Sequence, residues 1–381
     1  MAVALFFFWS ALGLIAFAYV GYAVSVAVLS SVYRNPPKRA DIEPRVTFII
    51  TAYNEERAIA RKLEQTLALD YPADKLEILV ASDGSTDRTD EIVRGFAARG
   101  VKLLRVEGRV GKTETQNQAV LHASGEVLIF SDATATYQAS ALRMIVRNYA
   151  DPEVGAVSGR YEYVDPQGTP IGKGSILFAR YDNWVRRAQS DIRTISGCCG
   201  CIYSVRRSCY VPLPPDIISD LCEPLKVIEG GHRVVFEQDA VAYEDTTSNV
   251  AQEFSMRVRV VVRGIRGMLF MRTLFNPLRF GFVSFQLVSH KVMRWLVPLF
   301  LVQLLVANLF LVGIGLYNLA LGLQVVFYAM AALGYFAEKA GRKLPLLSVP
   351  VFFVTINLAC LLAMARVVKG QRAVTWETVR K

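Results

Sequence analysis

Ionisable side chains are absent from two long stretches of this 381-residue sequence. Residues 2–33 contain no Asp, Glu, Lys or Arg, and neither do residues 295–337. A third apolar run follows at residues 344–365. Since about 20 apolar residues cross the hydrocarbon core of a bilayer, these runs predict a membrane protein with a polar middle. The 53% hydrophobic content also excludes a disordered, low-complexity chain.

The first apolar run favours a membrane anchor at residues 1–33. A cleaved signal peptide is the competing interpretation, but it would carry a basic residue before a shorter apolar core. Basic residues instead follow the run, at Arg34, Lys38 and Arg39. The positive-inside rule therefore predicts a cytoplasmic domain at residues 40–250 in a multi-pass protein of the cell (inner) membrane.

The rest of the chain is predicted to form amphipathic interfacial helices at residues 251–294, three transmembrane helices at residues 295–366 and a basic tail at residues 367–381. With three spans after a cytoplasmic domain, the tail would lie outside, against the positive-inside rule. The last apolar segment is therefore left open as spanning, re-entrant or interfacial. The basic residues of the last loop and the tail are Lys339, Arg342, Lys343, Arg366, Lys369, Arg372, Arg380 and Lys381.

Cysteine is scarce, and its spacing fits no zinc pattern. The chain has six cysteines, and no C-x-x-C or His pair completes a metal cluster around the three that are close in sequence. We expect reduced thiols in a cytosolic compartment, packed as small buried residues. The six are Cys198, Cys199, Cys201, Cys209, Cys222 and Cys360.

The net charge of +10 does not indicate a nucleic-acid partner. No nucleic-acid-binding module is visible, and the basic residues crowd the edges of the membrane segments, where anionic lipid is the expected partner. The apolar segments carry almost no ionisable residues, which usually mark the path of a transported substrate. A pure transporter is therefore not favoured.

Strand and helix patterns alternate through the polar middle. The helix at residues 55–69 is expected to be capped by Asn54. This alternation is typical of an α/β domain with a mostly parallel sheet and helices on both faces. The predicted strands are residues 46–50, 76–81, 102–106 and 127–130.

Polar residues follow three of these strands. Tyr53, Asn54 and Glu55 follow the first strand, Asp83 the second and Asp132 the fourth. Ligands of open α/β sheets bind beyond the carboxyl ends of the strands, so the three turns predict one site at that edge. The alternative is that these residues only cap helices and form turns, as Asn, Asp and Ser often do.

Several motifs together resemble those of membrane-bound family 2 glycosyltransferases, which include hyaluronan, chitin and cellulose synthases. They are Thr51-Ala52-Tyr53-Asn54-Glu55, Ser82-Asp83-Gly84-Ser85 and Gly111-Lys112 followed by Asn117. The resemblance covers about residues 45–265. It implies a Rossmann-like GT-A catalytic domain in which Tyr53, Asn54, Glu55, Asp83 and Lys112 bind the nucleotide-sugar donor.

Asp132-Ala133-Thr134 stands where the family usually has D-x-D. The resemblance implies a divalent cation, Mg²⁺ or Mn²⁺, that neutralises the diphosphate of the leaving group. Thr134 replaces the second carboxylate, so Asp132 is the expected direct metal ligand.

The resemblance also places a catalytic base in the segment Ser219-Asp220-Leu221-Cys222-Glu223. Asp220 occupies the position of the base, Ser219 replaces a glutamate of the family, and Glu223 is the nearest competitor. A helix cap is the alternative role for Asp220. The segment around Gly197 resembles the acceptor side of the site, with a close-packed turn as the alternative.

The family closes its site with Q-x-x-R-W on an interfacial helix. Here Arg259 matches the Arg, whereas Met256 and Val260 replace the Gln and the Trp. Arginine can pair bidentately with a diphosphate, so Arg257, Arg259 and Arg263 are candidates to bind the leaving group. The missing aromatic residue weakens the case for a long-chain synthase.

The resulting hypothesis is an inverting transferase that moves a sugar from a cytoplasmic nucleotide-sugar, with UDP the expected nucleotide. The acceptor is left open as a growing polysaccharide or a lipid-linked glycan. A polyprenyl-phosphate sugar transferase that makes a single addition is the alternative enzyme. The alternative that is not an enzyme is an inactive membrane protein that binds a nucleotide and serves as a partner of another protein. Association with a second copy or an export partner is also left open.

Overall fold

The protein is described from a computed structural model over residues 1–342 and 344–376. Of the basic residues that entered the topology prediction, Lys343, Arg380 and Lys381 lie outside the described residues. The part of the predicted basic tail that the structure describes ends at Trp376.

The polar middle of the chain contains one eight-stranded sheet in the order β3-β2-β1-β4-β7-β6-β8-β5. The first four strands of that order are mutually parallel, and β7 runs antiparallel to β4 and β6. The sheet is thus mostly parallel, as the alternating pattern predicts. The strands are β1 (Val46–Ala52), β2 (Leu76–Asp83), β3 (Val101–Val106), β4 (Val127–Asp132), β5 (Thr136–Tyr137), β6 (Val154–Val164), β7 (Tyr203–Arg206) and β8 (Arg233–Asp245).

Helices cover both faces of this sheet, which explains why β1 is a continuous run of buried residues. Phe48 and Ile50 pack in one apolar core, while Ile49 packs with Leu128 and Phe130 in the other. Alternate residues of a strand point to opposite faces, so one strand feeds both cores. The helices of this part are α3 (Ile59–Leu67), α4 (Thr89–Gly95), α5 (Lys112–His122), α6 (Ala141–Val146), α7 (Pro170–Ile192), α8 (Ser219–Glu229) and α9 (Val250–Phe270).

The first predicted helix starts later than its sequence pattern indicates. Helix α3 begins at Ile59, and Asn54 does not cap it. Asn54 has a φ of 52°, a left-handed conformation that cannot start a right-handed helix. Its Oδ1 accepts a hydrogen bond from the backbone N–H of Thr86 at 2.8 Å. Asn54 therefore joins the turn after β1 to the turn after β2.

Four helical segments in the described part of the chain are long and apolar enough to cross a membrane: Ala2–Val32, Pro277–Leu309, Gly315–Lys339 and Pro345–Val368. Single π-helical turns join α1 (Ala2–Ala16) to α2 (Tyr22–Val32), and α10 (Pro277–Gln286) to α11 (Met293–Leu309). The last two are α12 (Gly315–Lys339) and α13 (Ser348–Val368).

A tight turn joins α11 to α12. Gly313 has a φ of 101°, which a residue with a Cβ rarely adopts. Its N–H donates to Oδ1 of Asn318 at 3.0 Å. The turn thus reverses the chain between two apolar helices without leaving that amide unpaired.

Helix α13 lies alongside α9. Ala359 and Ala363 of α13 pack with Val258 and Val262 of α9. Nearer its start, Val351 of α13 packs in a cluster with Val250 at the beginning of α9. Helix α13 therefore runs beside α9 along much of its length.

Candidate active site

Asp83, at the end of β2, is fully buried and holds the loop before α5. Its Oδ1 accepts hydrogen bonds from the backbone N–H groups of Val110 at 2.8 Å and Gly111 at 3.2 Å. Gly111 has a φ of 94°, so the chain turns sharply there into the first residue of α5, Lys112. The Asp83 carboxylate thereby fixes the position from which Lys112 enters the site.

Three charged side chains from separate elements meet beside one turn. Asp132 ends β4, Asp220 lies in the first turn of α8, and Lys112 begins α5. The ammonium group of Lys112 forms an ion pair with Asp132. A Cβ atom built on Gly200 would lie 2.9 Å from Oδ2 of Asp220 and 3.6 Å from Nζ of Lys112. Lys112 is therefore shared between the two predicted functional carboxylates.

The surroundings of Asp220 suit a proton acceptor. Burial raises the pKa of its carboxyl group above the ordinary value, and the Lys112 ammonium group opposes that rise. Burial lowers the pKa of Lys112, but the carboxylates of Asp132 and Asp220 outweigh burial and raise it. A carboxylate with a raised pKa binds a proton more readily, which favours general-base chemistry.

Lys62 supports the turn that carries Asp132. It is a buried lysine whose Nζ donates to the Ser131 hydroxyl and to the Ala135 carbonyl, both at 2.7 Å. The same Nζ lies 4.2 Å from the centre of the Tyr137 ring. Burial lowers the pKa of Lys62 to about 7. The sequence analysis missed this residue because a lysine on an amphipathic helix ordinarily faces solvent.

The segment around Gly197 lies against the predicted base. A Cβ on Gly197 would lie 3.1 Å from Leu221, in the same helical turn as Asp220. The backbone N–H of Cys198 donates to the Asp220 carbonyl at 2.8 Å. The Sγ atoms of Cys199 and Cys201 lie 3.1 Å apart, and all six cysteines are free thiols. No group of three or more metal-ligating side chains occurs within residues 1–342 and 344–376.

Arg263 and Arg257, two of the predicted arginines of α9, contact the protein as follows. Arg263 donates to the Thr113 hydroxyl at 2.7 Å and to the Ile217 carbonyl at 2.6 Å, and burial lowers its pKa to about 10. Arg257 forms an ion pair with Glu253 at 2.7 Å. Both residues, like Arg259, also line the central cavity.

The central cavity has a volume of about 790 Å³ and brings most of the predicted site residues together. A second cavity of about 590 Å³ lies beside it and is lined by Tyr53 and Asn54, with Glu55 and Thr134 shared between the two. Asp83 and Gly197 line neither cavity. Asp83 binds the loop before α5, and Gly197 lies in the turn that packs against α8. The predicted residues in the central cavity are Glu55, Lys112, Asp132, Asp220, Arg257, Arg259 and Arg263.

Trp376, from the chain that follows α13, also lines the central cavity. Its ring centre lies 5.9 Å from that of Tyr53, at an interplanar angle of 69°. The Arg109 guanidinium lies 4.1 Å from the centre of the Tyr53 ring and donates to the Trp376 carbonyl. The sequence analysis missed Trp376, because no spacing signal links the end of the chain to a turn after the first strand.

Residues 47–211 match the family model described as Glycosyl transferase family 2, which confirms the resemblance found in the motifs. This part of the chain is a family 2 glycosyltransferase domain. The chain is 32% identical over 145 residues to the probable glycosyltransferase YdaM of Bacillus subtilis, an alignment that covers 36% of this chain and 34% of that protein.

Another relative is the poly-beta-1,6-N-acetyl-D-glucosamine synthase of Staphylococcus aureus, at 25% identity over 236 residues. That alignment covers 60% of this chain and 57% of the synthase, so the chain spans little more than half of that relative.

The fold is that of a solved structure, the mannosyltransferase PcManGT from Pyrobaculum calidifontis. The TM-score is 0.72 and the identity 23%, with 95% of this chain and 98% of that chain covered. The family 2 domain thus has the GT-A fold, in a chain with four candidate membrane-spanning helices in its described part.

Proposed function

We propose that this protein transfers a sugar from a nucleotide-sugar to a hydroxyl group of a membrane-associated glycan, with inversion at the sugar. The catalytic domain faces the cytoplasm at the inner membrane. The observation that carries this proposal is the placement of Asp132 and Asp220 around Lys112 in one cavity. A leaving diphosphate and an acceptor hydroxyl need a cation and a proton acceptor close together, and these three residues supply both charges.

Two of the similar proteins support the proposed substrates. The structure of PcManGT is a complex with GDP-Man and Mn²⁺. The Staphylococcus aureus relative is named as a synthase of a β-1,6-linked amino-sugar polymer. We infer a nucleotide-sugar donor and a glycan acceptor for this chain, either a growing polysaccharide or a lipid-linked glycan.

The donor is proposed to bind from the second cavity into the central one. The nucleoside lies near Tyr53, Asn54 and Glu55, beside the loop that Asp83 holds. The diphosphate then reaches Lys112, whose ammonium group is available to phosphate oxygens once it releases Asp132. Arg259 also lines the central cavity, and we propose that it stabilises the leaving nucleoside diphosphate.

The residues at the end of β4 fit a divalent cation held jointly with the donor. Mg²⁺ typically takes one or two protein carboxylates and completes its shell with water and substrate phosphates. Asp132 supplies one carboxylate at the cavity wall, and Thr134 adds a hydroxyl group nearby. When bound, Mg²⁺ or Mn²⁺ neutralises negative charge on the diphosphate.

Asp220 is proposed to take the proton of the acceptor hydroxyl. The acceptor oxygen forms a bond to the anomeric carbon while the bond from that carbon to the diphosphate oxygen breaks. The bonding electron pair leaves with the diphosphate, and the proton ends on the Asp220 carboxylate. A single displacement of this kind inverts the configuration at the anomeric carbon.

The test is release of nucleoside diphosphate by the purified protein with a panel of UDP- and GDP-sugars, in Mg²⁺, Mn²⁺ or EDTA, with native lipid extract as acceptor source. We expect metal-dependent turnover of one donor. Asp220→Asn should lower kcat by about 100-fold or more. The matched control is Asp239→Asn, whose carboxylate is 51% exposed and pairs with Arg147 away from the cavity.

Two outcomes would contradict the proposal at different points. Wild-type activity in Asp220→Asn would show that Asp220 is not the base, although the protein would still be a transferase. Failure of the wild-type protein to turn over any donor would favour the inactive nucleotide-binding partner. Sizing the product would separate repeated from single addition.

A further inference from the structure

A second cluster of charged side chains lies in the central cavity, on its membrane side. Asp182 of α7 is its one carboxylate, and Arg186 binds it at 2.8 Å. The π-helical turn between α10 and α11 brings His290, whose Nε2 is 3.6 Å from Asp182, and Lys291. The first turn of α11 adds Arg294, whose Nη1 is 3.8 Å from Asp182. All five residues line the cavity.

The basic groups of this cluster outnumber its carboxylate. Arg186 and the Tyr161 hydroxyl donate to Oδ2 of Asp182 at 2.8 Å and 3.4 Å, while Arg294 stays beyond hydrogen-bonding distance. The Arg294 side chain is 12% exposed, and its Nε and Nη2 atoms are buried with no hydrogen-bond partner among the described residues. The described chain also offers Lys291 no hydrogen bond or ion pair, although Lys291 lies within electrostatic range of Asp182 and Asp220. A buried guanidinium with unmet hydrogen bonds is costly, and Lys291 adds a further positive charge to the cluster, so the cluster favours binding of an anion.

The wall next to the cluster is apolar and comes from helices that are candidates to span the membrane. Tyr19 and Val20 of the first segment line it, as do Phe352 and Phe353 of α13. The Arg294 guanidinium lies 5.1 Å from the centre of the Tyr181 ring, at the boundary between the two surfaces. A ligand that contacts both the basic cluster and the apolar wall must carry an anionic group attached to a hydrocarbon chain.

The cluster also reaches the proposed base. Nζ of Lys291 lies 3.7 Å from the position of a Cβ on Gly197. On the same turn, the N–H of Cys198 donates to the Asp220 carbonyl. An anion bound to Lys291 would therefore be separated from the Asp220 carboxylate, the proposed proton acceptor, by the Gly197–Cys198 turn. This is the acceptor side of the cavity, away from the Tyr53 and Asp83 side.

We propose that Lys291 and Arg294 form a subsite for the phosphate or diphosphate group of a lipid-linked acceptor. The inference rests on the proposed function and selects the lipid-linked acceptor over a neutral polysaccharide. The lipid chain lies along Tyr19, Val20 and α13, and the sugar attached to the phosphate points toward Asp220. Charge-assisted hydrogen bonds from lysine and arginine are a strong and specific way to hold a phosphate.

The test measures binding without any donor, so it does not depend on turnover. The purified full-length protein is placed in neutral phosphatidylcholine nanodiscs, and the equilibrium Kd of a radiolabelled long-chain polyprenyl phosphate is determined. Polyprenol without the phosphate should bind at least about tenfold more weakly. Lys291→Gln and Arg294→Gln should each weaken binding of the phosphate by roughly tenfold or more, because each removes a charged hydrogen bond.

The matched control is Arg272→Gln, which removes a positive charge from an exposed position near the same membrane edge and does not line the cavity. Its Kd should equal that of the wild type. Lys291→Arg should keep binding, which separates loss of charge from loss of folding. Asp220→Asn should also bind normally although it fails in transfer.

Equal affinity for polyprenol and polyprenyl phosphate, or unchanged binding in both glutamine variants, would overturn the proposal. Equal competition by phosphatidylglycerol in the nanodisc would assign the subsite to a bilayer lipid instead of the acceptor. Equal competition by inorganic phosphate would show that the lipid chain contributes nothing, against the proposed apolar wall. Normal binding of polyprenyl phosphate without any sugar transfer would support this subsite and contradict the proposed function.

Discussion

The backbone of Gly200 passes so close to Asp220 that a Cβ atom at position 200 would lie 2.9 Å from the carboxylate oxygen Oδ2. That separation is shorter than carbon–oxygen contacts in well-packed proteins allow. The atom that such a Cβ would meet is the end of the Asp220 side chain, so the carboxylate would have to move from its place at the cavity wall.

Gly200→Ala is therefore expected to displace the Asp220 carboxylate and lower kcat about tenfold or more. The thermal midpoint should change little, because the turn is at the cavity surface. Steady-state kinetics and a melting curve measure the two effects. Gly95→Ala is the control, since a Cβ there meets nothing within 4 Å. An unchanged kcat in Gly200→Ala would mean that the position of Asp220 is not critical.

Lys112→Gln should move the acidic limb of the pH profile of kcat/KM to higher pH by about one unit. Lys112 lowers the pKa of Asp220 against the effect of burial, so its loss lets that pKa rise. The base must be deprotonated to act, and activity therefore disappears at a higher pH as acid is added. Lys112 is also proposed to bind the donor, so its loss should lower kcat/KM at every pH. The measurement is therefore the pH at which the acidic limb falls, and not the height of the profile. Lys75→Gln, an exposed lysine paired with Glu43, should leave the limb in place.

Glu223→Gln should stabilise the protein at alkaline pH. Glu223 is buried, and burial raises its pKa from 4.5 to about 8. Between these values the folded state holds a proton that the unfolded state releases, so stability falls as pH rises through this window. The loss is roughly 5 kcal/mol at most.

Melting temperatures in detergent from pH 5 to pH 9 check this prediction. The wild-type curve should fall with pH, and the glutamine variant should be flatter and higher above pH 8. Glu107→Gln, whose side chain is 85% exposed, serves as the control and should follow the wild type. Parallel curves for wild type and Glu223→Gln would show that Glu223 is charged in the folded state.

Trp376→Ala should raise the KM for the nucleotide-sugar several-fold and leave the KM for the acceptor unchanged. Trp376 packs against Tyr53 on the proposed donor side of the cavity, and an aromatic contact of this type is worth about 0.5–1.5 kcal/mol. Initial rates at varied donor concentration provide the measurement. Trp184→Ala is the control, because that ring is 48% exposed on α7 and does not line the cavity. An unaltered donor KM would count against a role for the tail in donor binding.

The tail after α13 should lie on the same side of the membrane as the catalytic domain. The Val374 carbonyl oxygen lies 2.5 Å from the position of a Cβ on Gly111, so the two segments are in contact. Gln371→Cys and Thr86→Cys should react with a membrane-impermeant maleimide in vesicles of the same orientation. The wild type, with its native thiols, gives the background. Labelling in opposite orientations would show that α13 spans the membrane completely.

The sheet and the donor side of the site followed from local sequence patterns. Continuous apolar runs such as Val46–Ala52 predict buried parallel strands, and the carboxyl ends of such strands meet at one edge. Asp83 and Asp132 were therefore placed correctly at that edge before any contact was known. The start of α3 was placed wrongly, because the left-handed φ of Asn54 comes from its contact with the distant Thr86 turn.

The sheet, the four apolar segments and the residues at the strand ends can be predicted from local patterns, because each depends on periodicity over a few residues. Helix and strand packing is what pairs Lys112 with Asp132 near Asp220, brings Arg294 to 3.8 Å from Asp182, and places Trp376 against Tyr53. The Arg109–Trp376 hydrogen bond joins residues 267 positions apart. No local propensity encodes such a pair, since it forms only when helix packing has brought the separate segments together.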